Sequence, residues 1–314
     1  MRYITLIIFS ILSLHSCSQE NEVLWTVAWS HDDAYIAVGG NQGDLKLFDG
    51  KTFEFIKSYP VKDVILSRLK WHPYQHKLAV ITQSETFKAK ILDLGKDQWV
   101  TLKGLQNSFR ALDWNHSGEY LALSEFEGPV SIFDLEGNQI SRFKADQKGA
   151  AGLDWHPSKN ILTTAGSQIG IYTLEGDTLH RFEPHETETF MLCVEWHKSG
   201  DFFAVGDYGD LKEAKNKLVQ FWTIEGQLIT QLEGSIGEYR NIRWSPDGEK
   251  LATASDALRI WNKKGELISE SASFEAYLWG IDWNSKGDKI IATDANGVIS
   301  IWDKEANLLK KLKH

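Results

Sequence analysis

The sequence has little cysteine, little proline and a deficit of positive charge. Two cysteines among 314 residues are too few for the disulfide framework of a small secreted domain. Six prolines exclude a proline-rich or collagen-like chain. The 34 lysines and arginines face 43 acidic residues, a formal net charge of −9, so we expect no nucleic-acid-binding body that depends on a basic surface.

What the chain does contain is typical of a packed globular protein. Hydrophobic residues make up 42% of it and aromatic residues 12%, which excludes disorder and supports a large core. A length of 314 residues suggests about two ordinary domains. Thirteen tryptophans are an excess for a chain of this size, and their positions organise the rest of the sequence.

An apolar stretch near the N-terminus is too short to span a membrane. Residues 4–14 are apolar except for three hydroxyl residues, and Arg2 precedes them. A spanning helix needs about 20 apolar residues. A short basic segment followed by a shorter apolar run is instead typical of a signal peptide. We therefore predict that residues 1–16 are a cleaved signal peptide.

The end of this stretch resembles the lipobox of bacterial lipoproteins. Leu14, His15, Ser16 and Cys17 follow its order of a leucine, two further residues and a cysteine. The resemblance implies that Cys17 carries acyl chains and that residues 17–22 form a polar tether. Each buried CH₂ contributes ~0.8 kcal/mol, so several acyl chains would hold the protein firmly at a membrane surface. The resemblance therefore also implies an anchor in the bacterial cell envelope, with the outer membrane favoured. The alternatives are a plain secretory signal with an incidental cysteine and an uncut, membrane-buried segment.

One tryptophan recurs in a fixed context along the remaining chain. In every repeat an apolar residue lies two positions before it and a bulky apolar residue seven positions after it. Successive copies are 39 to 48 residues apart, with a mean near 42. Seven matches in one register identify an internal repeat. The seven marker tryptophans are Trp29, Trp71, Trp114, Trp155, Trp196, Trp244 and Trp283.

Each repeat predicts four short strands. Apolar residues alternate with other residues up to the marker tryptophan, which is the period of a strand. A turn such as Ser245-Pro246-Asp247-Gly248 follows, then a second apolar run, a third strand, a further turn and a fourth strand. The body shows no sustained helical periodicity, so we predict an all-β fold. The third strands end in the anchors Phe48, Leu92, Phe133, Tyr172, Trp222, Trp261 and Trp302.

Four-stranded repeats with a period of 40–45 residues are typical of the WD40-type β-propeller. The chain resembles that family in the segment WSPDGEKLATAS, from Trp244 to Ser255, and in the third-strand ending at Trp302-Asp303. The resemblance implies one seven-bladed β-propeller of four-stranded antiparallel blades over residues 23–314. The family's Gly-His pair is absent from every repeat. We therefore expect side-chain packing between blades to replace the family's Asp–His network.

The seven repeats supply no spare strand. The first repeat begins with its innermost strand, and the last ends with an outer strand at residues 307–313. Many WD40 relatives close the ring by letting both termini share one blade. Here we predict that the first and last blades meet through side chains alone and that the propeller is monomeric.

No group of residues predicts catalysis, a cofactor or a metal site. His72, His156 and His197 each follow a marker tryptophan, where capping of a turn explains them, and no zinc-type ligand spacing accompanies them. Lys70 and Arg243 hold the position before the marker, which acidic residues hold in four other repeats. This mixture predicts a wet channel wall of both charges rather than the paired carboxylates of a glycosidase. The four acidic residues are Asp113, Asp154, Glu195 and Asp282.

Aromatic residues and arginines cluster four to six positions before the marker tryptophans. The WD40 resemblance places these positions on the upper rim, where the innermost strands begin, and WD40-like propellers commonly hold peptides or proteins there. Tryptophan, tyrosine and arginine also dominate binding hot spots. Wedging between blades is the alternative for part of the group. The candidates are Trp25, Arg110, Phe190, Tyr239, Arg240, Tyr277 and Trp279, with Phe109 beside them.

The fifth repeat carries an insertion that points to the same rim. Its marker and third-strand anchor, Trp196 and Trp222, are 26 residues apart, against 17 to 21 in the other repeats. The polar segment 207–217 accounts for the difference and adds Tyr208 to the rim candidates. In propeller topology a loop between second and third strands opens on the upper rim, and loops on a rigid scaffold often carry function.

These patterns predict a noncatalytic scaffold that binds a protein or peptide and is held at a membrane surface by Cys17. The alternative is an envelope enzyme or cofactor-binding propeller that acts through its central channel on a small molecule or glycan. The absence of a convergent acid–base set favours the scaffold. Ten tryptophans are markers or anchors and Trp99 lies in an outer strand, so Trp25 and Trp279 remain as functional candidates.

Overall fold

The computed structural model describes residues 22–312 except 62–63, 85–87, 106–107, 126–127, 146–148, 185–189 and 209–216. The predicted signal peptide, Cys17 and most of the blade-five insertion lie outside the described residues. The regular secondary structure of the described residues consists of β-strands alone. No helix among them is long and apolar enough to cross a membrane. The prediction of an all-β chain is confirmed.

The strands form seven separate four-stranded antiparallel sheets, each made of four consecutive strands. Blade one contains β1 (Leu24–Trp29), β2 (Tyr35–Gly40), β3 (Asp44–Asp49) and β4 (Phe55–Pro60). Blade two contains β5 (Leu66–Trp71), β6 (Lys77–Thr82), β7 (Ala89–Asp93) and β8 (Gln98–Thr101). Blade three contains β9 (Phe109–Trp114), β10 (Leu121–Glu125), β11 (Pro129–Phe133) and β12 (Gln139–Lys144).

The same order repeats in the other four blades. Blade four contains β13 (Gly152–Trp155), β14 (Ile161–Ala165), β15 (Ile169–Thr173) and β16 (Thr178–Phe182). Blade five contains β17 (Met191–Trp196), β18 (Phe202–Asp207), β19 (Lys217–Thr223) and β20 (Leu228–Ser235). Blade six contains β21 (Asn241–Trp244), β22 (Lys250–Ala254), β23 (Leu258–Asn262) and β24 (Leu267–Glu270). Blade seven contains β25 (Leu278–Trp283), β26 (Lys289–Asp294), β27 (Ile299–Asp303) and β28 (Leu308–Leu312).

The core consists of apolar layers between neighbouring blades. One layer joins Ile81 and Ile91 of blade two to Phe109, Leu112 and Trp114 of blade three, and every other pair of adjacent blades has its own layer. The three inner strands of a blade are covered on both faces, so β2 is almost wholly buried, whereas the outer strand β4 is largely exposed. Side-chain packing between blades therefore holds adjacent blades together, as the sequence predicted.

The marker tryptophans add hydrogen bonds to this packing. The indole Nε1 of Trp71 donates to the carbonyl of Ala28 in the preceding blade at 3.0 Å. Four other blade pairs repeat the bond, always to the residue just before the preceding marker. The donor and acceptor pairs are Trp114 and Lys70, Trp155 and Asp113, Trp244 and Glu195, and Trp283 and Arg243. Each such bond contributes about 1 kcal/mol.

The histidines that follow three markers join adjacent blades as well as capping their own turns. Nδ1 of His72 accepts from the backbone N–H of Tyr74 and Gln75, so Nε2 carries the proton and donates to the Gly118 carbonyl at 3.0 Å. Gly118 has φ 76°, and a Cβ there would lie 2.3 Å from His72 Nε2, so only glycine fits. His156 and His197 repeat the arrangement, which confirms the predicted capping.

The first and last blades close the ring without sharing a strand. Blade seven consists of β25 to β28 alone, and β1 packs against β25 and β26. The Asp33 carboxylate accepts from both the backbone N–H and the hydroxyl of Ser285, each at 2.7 Å. Asp282 accepts from the Trp29 backbone N–H at 2.7 Å. Among the described residues no strand pairing joins the two blades, and each of these hydrogen bonds has a side-chain acceptor, although two of them have a backbone donor. The predicted junction without a shared strand is therefore confirmed for these residues, but backbone N–H groups take part in it.

Asp33→Gly should weaken the closure of the ring. Asp33 has φ 59°, which glycine tolerates, so the substitution removes the two bonds to Ser285 without adding backbone strain. We expect a loss of ~2 kcal/mol, measured as a melting temperature lower by about 5 °C. The matched control is Asp97→Gly, another aspartate with positive φ whose bonds to Lys57 and Tyr59 are exposed. Equal changes in the two variants would contradict this account of the closure.

Candidate functional site

The seven innermost strands run in the same direction around the central channel, so residues at equal distances from the markers form rings. The ring four positions before the markers lies where these strands begin. Six of its members line one open pocket of about 300 Å³ at the mouth of the channel, which we call the upper pocket. Those members are Trp25, Ser67, Arg110, Ala151, Leu192 and Arg240.

Trp25, Trp279 and Arg240 form one cluster at the pocket edge. The two indoles meet edge to face, with ring centroids 4.7 Å apart. The Arg240 guanidinium lies 4.7 Å from the Trp279 ring and 5.8 Å from the Trp25 ring, within cation–π range of both, and it pairs with Glu238. All three are only partly buried. The Trp25 Nε1 is buried without a hydrogen-bond partner.

A second group lies where blades three and five face the pocket. The Arg110 guanidinium lies 5.6 Å from the Phe190 ring. The Tyr208 backbone N–H donates to the Phe190 carbonyl at 2.9 Å, so the start of the insertion lies beside this group. Burial lowers the pKa of Arg110 from its usual value. The structure thus brings together three further rim candidates from two blades.

The remaining candidates do not belong to the pocket edge. Tyr239 is fully buried between blades five and six, so its prediction as a rim contact is wrong, and burial raises its pKa to about 12. Phe109 is likewise buried in the layer between blades two and three, although it is one of the residues that line the pocket. Tyr277 is 37% exposed, but it lies beside Gly237, away from the pocket lining. Wedging between blades, the alternative for this group, applies to Tyr239 and Phe109.

Sequence reasoning missed Arg68, which lies at the base of the upper pocket. Arg68 is three positions before the marker of blade two, and its side chain crosses the channel mouth. Its Nη1 donates to Asn241 Oδ1 and to the Arg240 carbonyl, and its Nη2 donates to the Leu192 carbonyl at 3.4 Å. The sequence signal that could have found Arg68 is its length, since the other six blades have short side chains at this position. Those residues are Thr26, Ala111, Gly152, Cys193, Asn241 and Gly280.

Below Arg68 the channel narrows to a cavity of about 40 Å³, which reaches Lys70 and Arg243. Lys70 lies 3.1 Å from Asp113, and Arg243 lies 2.6 Å from Glu195 and 3.6 Å from Asp282. The predicted mixture of charges along the channel is therefore present as ion pairs. Their attraction raises the pKa of Arg243 against the opposing effect of its burial.

Four carboxylates of this layer bond the blades together. Each accepts the backbone N–H of the marker tryptophan in the following blade, so one of its two oxygens is occupied by the junction. The acceptor and donor pairs are Asp113 and Trp155, Asp154 and Trp196, Glu195 and Trp244, and Asp282 and Trp29. Glu195 also pairs with Arg243. Side chains that the sequence placed on the channel wall are thus part of the blade junctions.

One group of described residues could hold a metal ion. His31, Asp32 and His76, on the lower face between blades one and two, have ligand atoms within 4.8 Å of one another. Burial acts to raise the pKa of Asp32, but hydrogen bonds from the Ala34 N–H, Ser30 and His76 lower it to about 2. The bonds to Ala34 and Ser30 lie within its own turn, and His76 Nε2 lies 3.0 Å from its other oxygen, so hydrogen bonds on the surface account for the grouping.

Comparisons with known proteins match parts of the chain to two family models. The model described as WD domain, G-beta repeat matches residues 10–49, and the one described as Eukaryotic translation initiation factor eIF2A matches residues 55–181. The chain is 23% identical to Intraflagellar transport protein 80 homolog of Mus musculus, over 91% of this chain and 37% of that protein. It is 25% identical to Intraflagellar transport protein 122 homolog of Xenopus tropicalis, over 71% of this chain and 18% of the relative.

A third similar protein is Minichromosome loss protein 1 of Schizosaccharomyces pombe, 24% identical over 47% of this chain and 19% of the relative. The chain thus spans about a third or less of the length of the curated relatives it matches. The seven four-stranded blades and the match to a WD domain together support a WD40-like β-propeller.

Proposed function

We propose that this chain is a noncatalytic scaffold that binds a protein partner on its upper rim. The observation that carries the proposal is the cluster of Trp25, Trp279 and Arg240 beside an open pocket. These residue types supply most of the binding energy in protein interfaces, because they combine a large rigid surface with polar groups. The arginine beside the two indoles is held in place by them and by Glu238 before a partner arrives, which reduces the entropy lost on binding.

The relatives support a binding role in general terms. Two are named intraflagellar transport proteins, and neither name describes a catalysed reaction. Because the matched segment is 37% of one relative and 18% of the other, what those whole proteins do is transferred here only as far as a protein partner.

The alternative function, chemistry in the central channel, has less support. A cavity of about 40 Å³ is far smaller than the ~300 Å³ at which ligand pockets begin, so it does not fit a glycan ring or a cofactor. The channel carboxylates accept backbone N–H bonds from neighbouring blades, which explains their presence without catalysis. Together these two observations favour a narrow channel with a structural role below an open binding rim.

We further propose that Cys17 anchors the scaffold to the bacterial cell envelope through acyl chains, with the outer membrane favoured. The support is the order Leu14-His15-Ser16-Cys17 after an apolar run of signal-peptide length. The polar residues after Cys17 would act as a tether that leads directly into β1.

Trp279→Ala should reduce partner capture without altering the stability of the ring. Loss of one hot-spot tryptophan costs about 2 kcal/mol or more of binding, which predicts at least a tenfold fall in capture. Capture is measured by crosslinking in the native envelope followed by quantitative mass spectrometry. The matched control is Trp99→Ala in the outer strand β8, far from the rim. Capture of the same proteins at parental levels by Trp279→Ala would refute the rim as the binding surface.

Lipid attachment is tested with radiolabelled palmitate. The parent chain, expressed in a bacterium that processes lipoproteins, should incorporate label, and Cys17→Ala should incorporate none because the acceptor thiol is gone. Cys193→Ala is the control, since that thiol is buried and its pKa is raised to about 12. Absence of label in the parent, or equal label in Cys17→Ala, would contradict the anchor.

Asp154→Asn should stabilise the protein in a manner that depends on pH. Burial, and then the neighbouring Asp113 carboxylate, raise the pKa of Asp154 well above its usual value. Folding therefore favours the neutral acid, and this stabilisation is lost as pH rises through the raised pKa. Asparagine still accepts the Trp196 N–H bond but cannot ionise. We expect a melting temperature about 2–4 °C above the parent at pH 8 and nearly equal at pH 4.

The control for this pH effect is Asp201→Asn, which replaces an exposed turn aspartate and should change stability little at either pH. The same melting difference for Asp154→Asn at pH 4 and pH 8 would show that the Asp154 proton is not linked to folding.

A further inference from the structure

We propose that the upper pocket binds a carboxylate of an acidic peptide segment, with Arg68 as the principal cation. The inference rests on the proposed function and specifies the chemistry of the partner at that rim. It is carried by the placement of Arg68 at the base of the pocket, by a described lining that contains no acidic residue, and by the donors that surround the space.

Arg68 is placed so that its charge faces the channel mouth. Side chains at the same position in the other blades are short, so Arg68 alone reaches across from blade two to blades five and six. Its hydrogen bonds to the Arg240 and Leu192 carbonyls and to Asn241 fix the guanidinium in one orientation. These acceptors are neutral, so they hold the side chain without cancelling its charge.

The charge of Arg68 has no anionic partner among the described residues. No aspartate or glutamate of the described chain forms an ion pair with it, and the charged groups nearest to it include two arginines, Arg240 and Arg243. Burial, together with those arginines, lowers its pKa to about 10. A partly buried cation without a counter-charge is costly, and an entering carboxylate offsets that cost.

The rest of the pocket lining suits the same ligand. Arg110 and Arg240 flank the space, and Ser67, Gln83 and Asn241 add neutral polar groups. Among the described residues that line the pocket none is acidic, although the whole chain carries a net charge of −9. Trp25 also lines the pocket, and its buried Nε1 is a donor that has no partner. Carboxylates prefer such clusters, because charge-assisted hydrogen bonds are about twice as strong as neutral ones.

The walls indicate that the carboxylate belongs to a peptide rather than to a small free anion. Trp25, Leu192 and Phe109 give the pocket apolar surface beside its arginines, and its volume of about 300 Å³ is larger than one carboxylate needs. An acidic residue with apolar neighbours fills such a space. The net charge of −9 on the chain disfavours binding of an acidic peptide elsewhere on the protein, so charge also favours the pocket as the binding position.

The test uses fluorescence anisotropy with the propeller and labelled peptides of defined sequence. The first probe is a fluorescein-labelled hexapeptide of alternating leucine and glutamate with an amidated C-terminus. The second replaces glutamate by glutamine, and the third is the glutamine peptide with a free C-terminal carboxylate. We expect binding by the first or the third and none by the second. Which of them binds tells whether the carboxylate comes from a side chain or from a chain end.

Variants tie the binding to the pocket. Arg68→Gln should weaken binding of the carboxylate peptide at least tenfold, and Arg68→Lys should weaken it less because the charge remains. Lys311→Gln, which removes one positive charge from the exposed outer strand β28, should have no effect. If Arg68→Gln does not fold, Arg110→Gln at the open edge should still weaken binding several-fold. Equal binding by the parent and by folded Arg68→Gln and Arg110→Gln would overturn the proposal.

Two further outcomes are decisive. A fourth probe is the glutamine peptide with one phosphoserine. If the pocket is a phosphate site, this probe binds and the carboxylate peptides do not, and that result would overturn the proposal. Failure of all four peptides, with partner capture still sensitive to Trp279→Ala, would reject the carboxylate but leave the rim function standing. If binding of the carboxylate peptide depends on Arg68 but partner capture is unaffected by Trp279→Ala, the pocket proposal stands and the rim function is rejected.

Discussion

The contact between one blade and the next is the interaction on which this structure depends. A four-stranded blade cannot bury both of its faces alone, so the free energy of folding comes from layers between blades. The marker tryptophan contributes to such a layer in two ways, because its ring packs between the blades and, in five of them, its Nε1 bonds to the backbone of the preceding blade. Histidine–glycine bonds and channel carboxylates add links at the lower end of the same junctions.

This arrangement divides the innermost strands into two functional halves. Near the marker, side chains are committed to the junctions between blades, and the carboxylates there are paired or hydrogen-bonded. Four positions earlier the strands begin, and the ring varies between alanine, serine, leucine, arginine and tryptophan. Substitutions at the strand starts can therefore change binding without opening the ring.

Much of the fold could be predicted from the sequence because it is repeated. Seven copies of one pattern gave the strand order, the blade number and the closure without a shared strand, all of which the structure has. The site was less accessible. The sequence placed Tyr239 on the rim through its distance from Trp244, but that tyrosine turns into the layer between blades five and six. Spacing along a strand gives a height in the ring and not the direction of a side chain.

Arg68 shows the same limit of sequence spacing, here for a site residue that the pattern did not predict. A residue three positions before a marker lies at a height where six blades have short side chains, so the pattern predicts packing rather than recognition there. Only the ring geometry shows that a long side chain at that height must extend across the channel toward blades five and six. In a repeat protein the functional residue is thus found where one repeat departs from the others at a position that faces open space. Conformity among repeats marks the scaffold, and departure from it marks the candidate site.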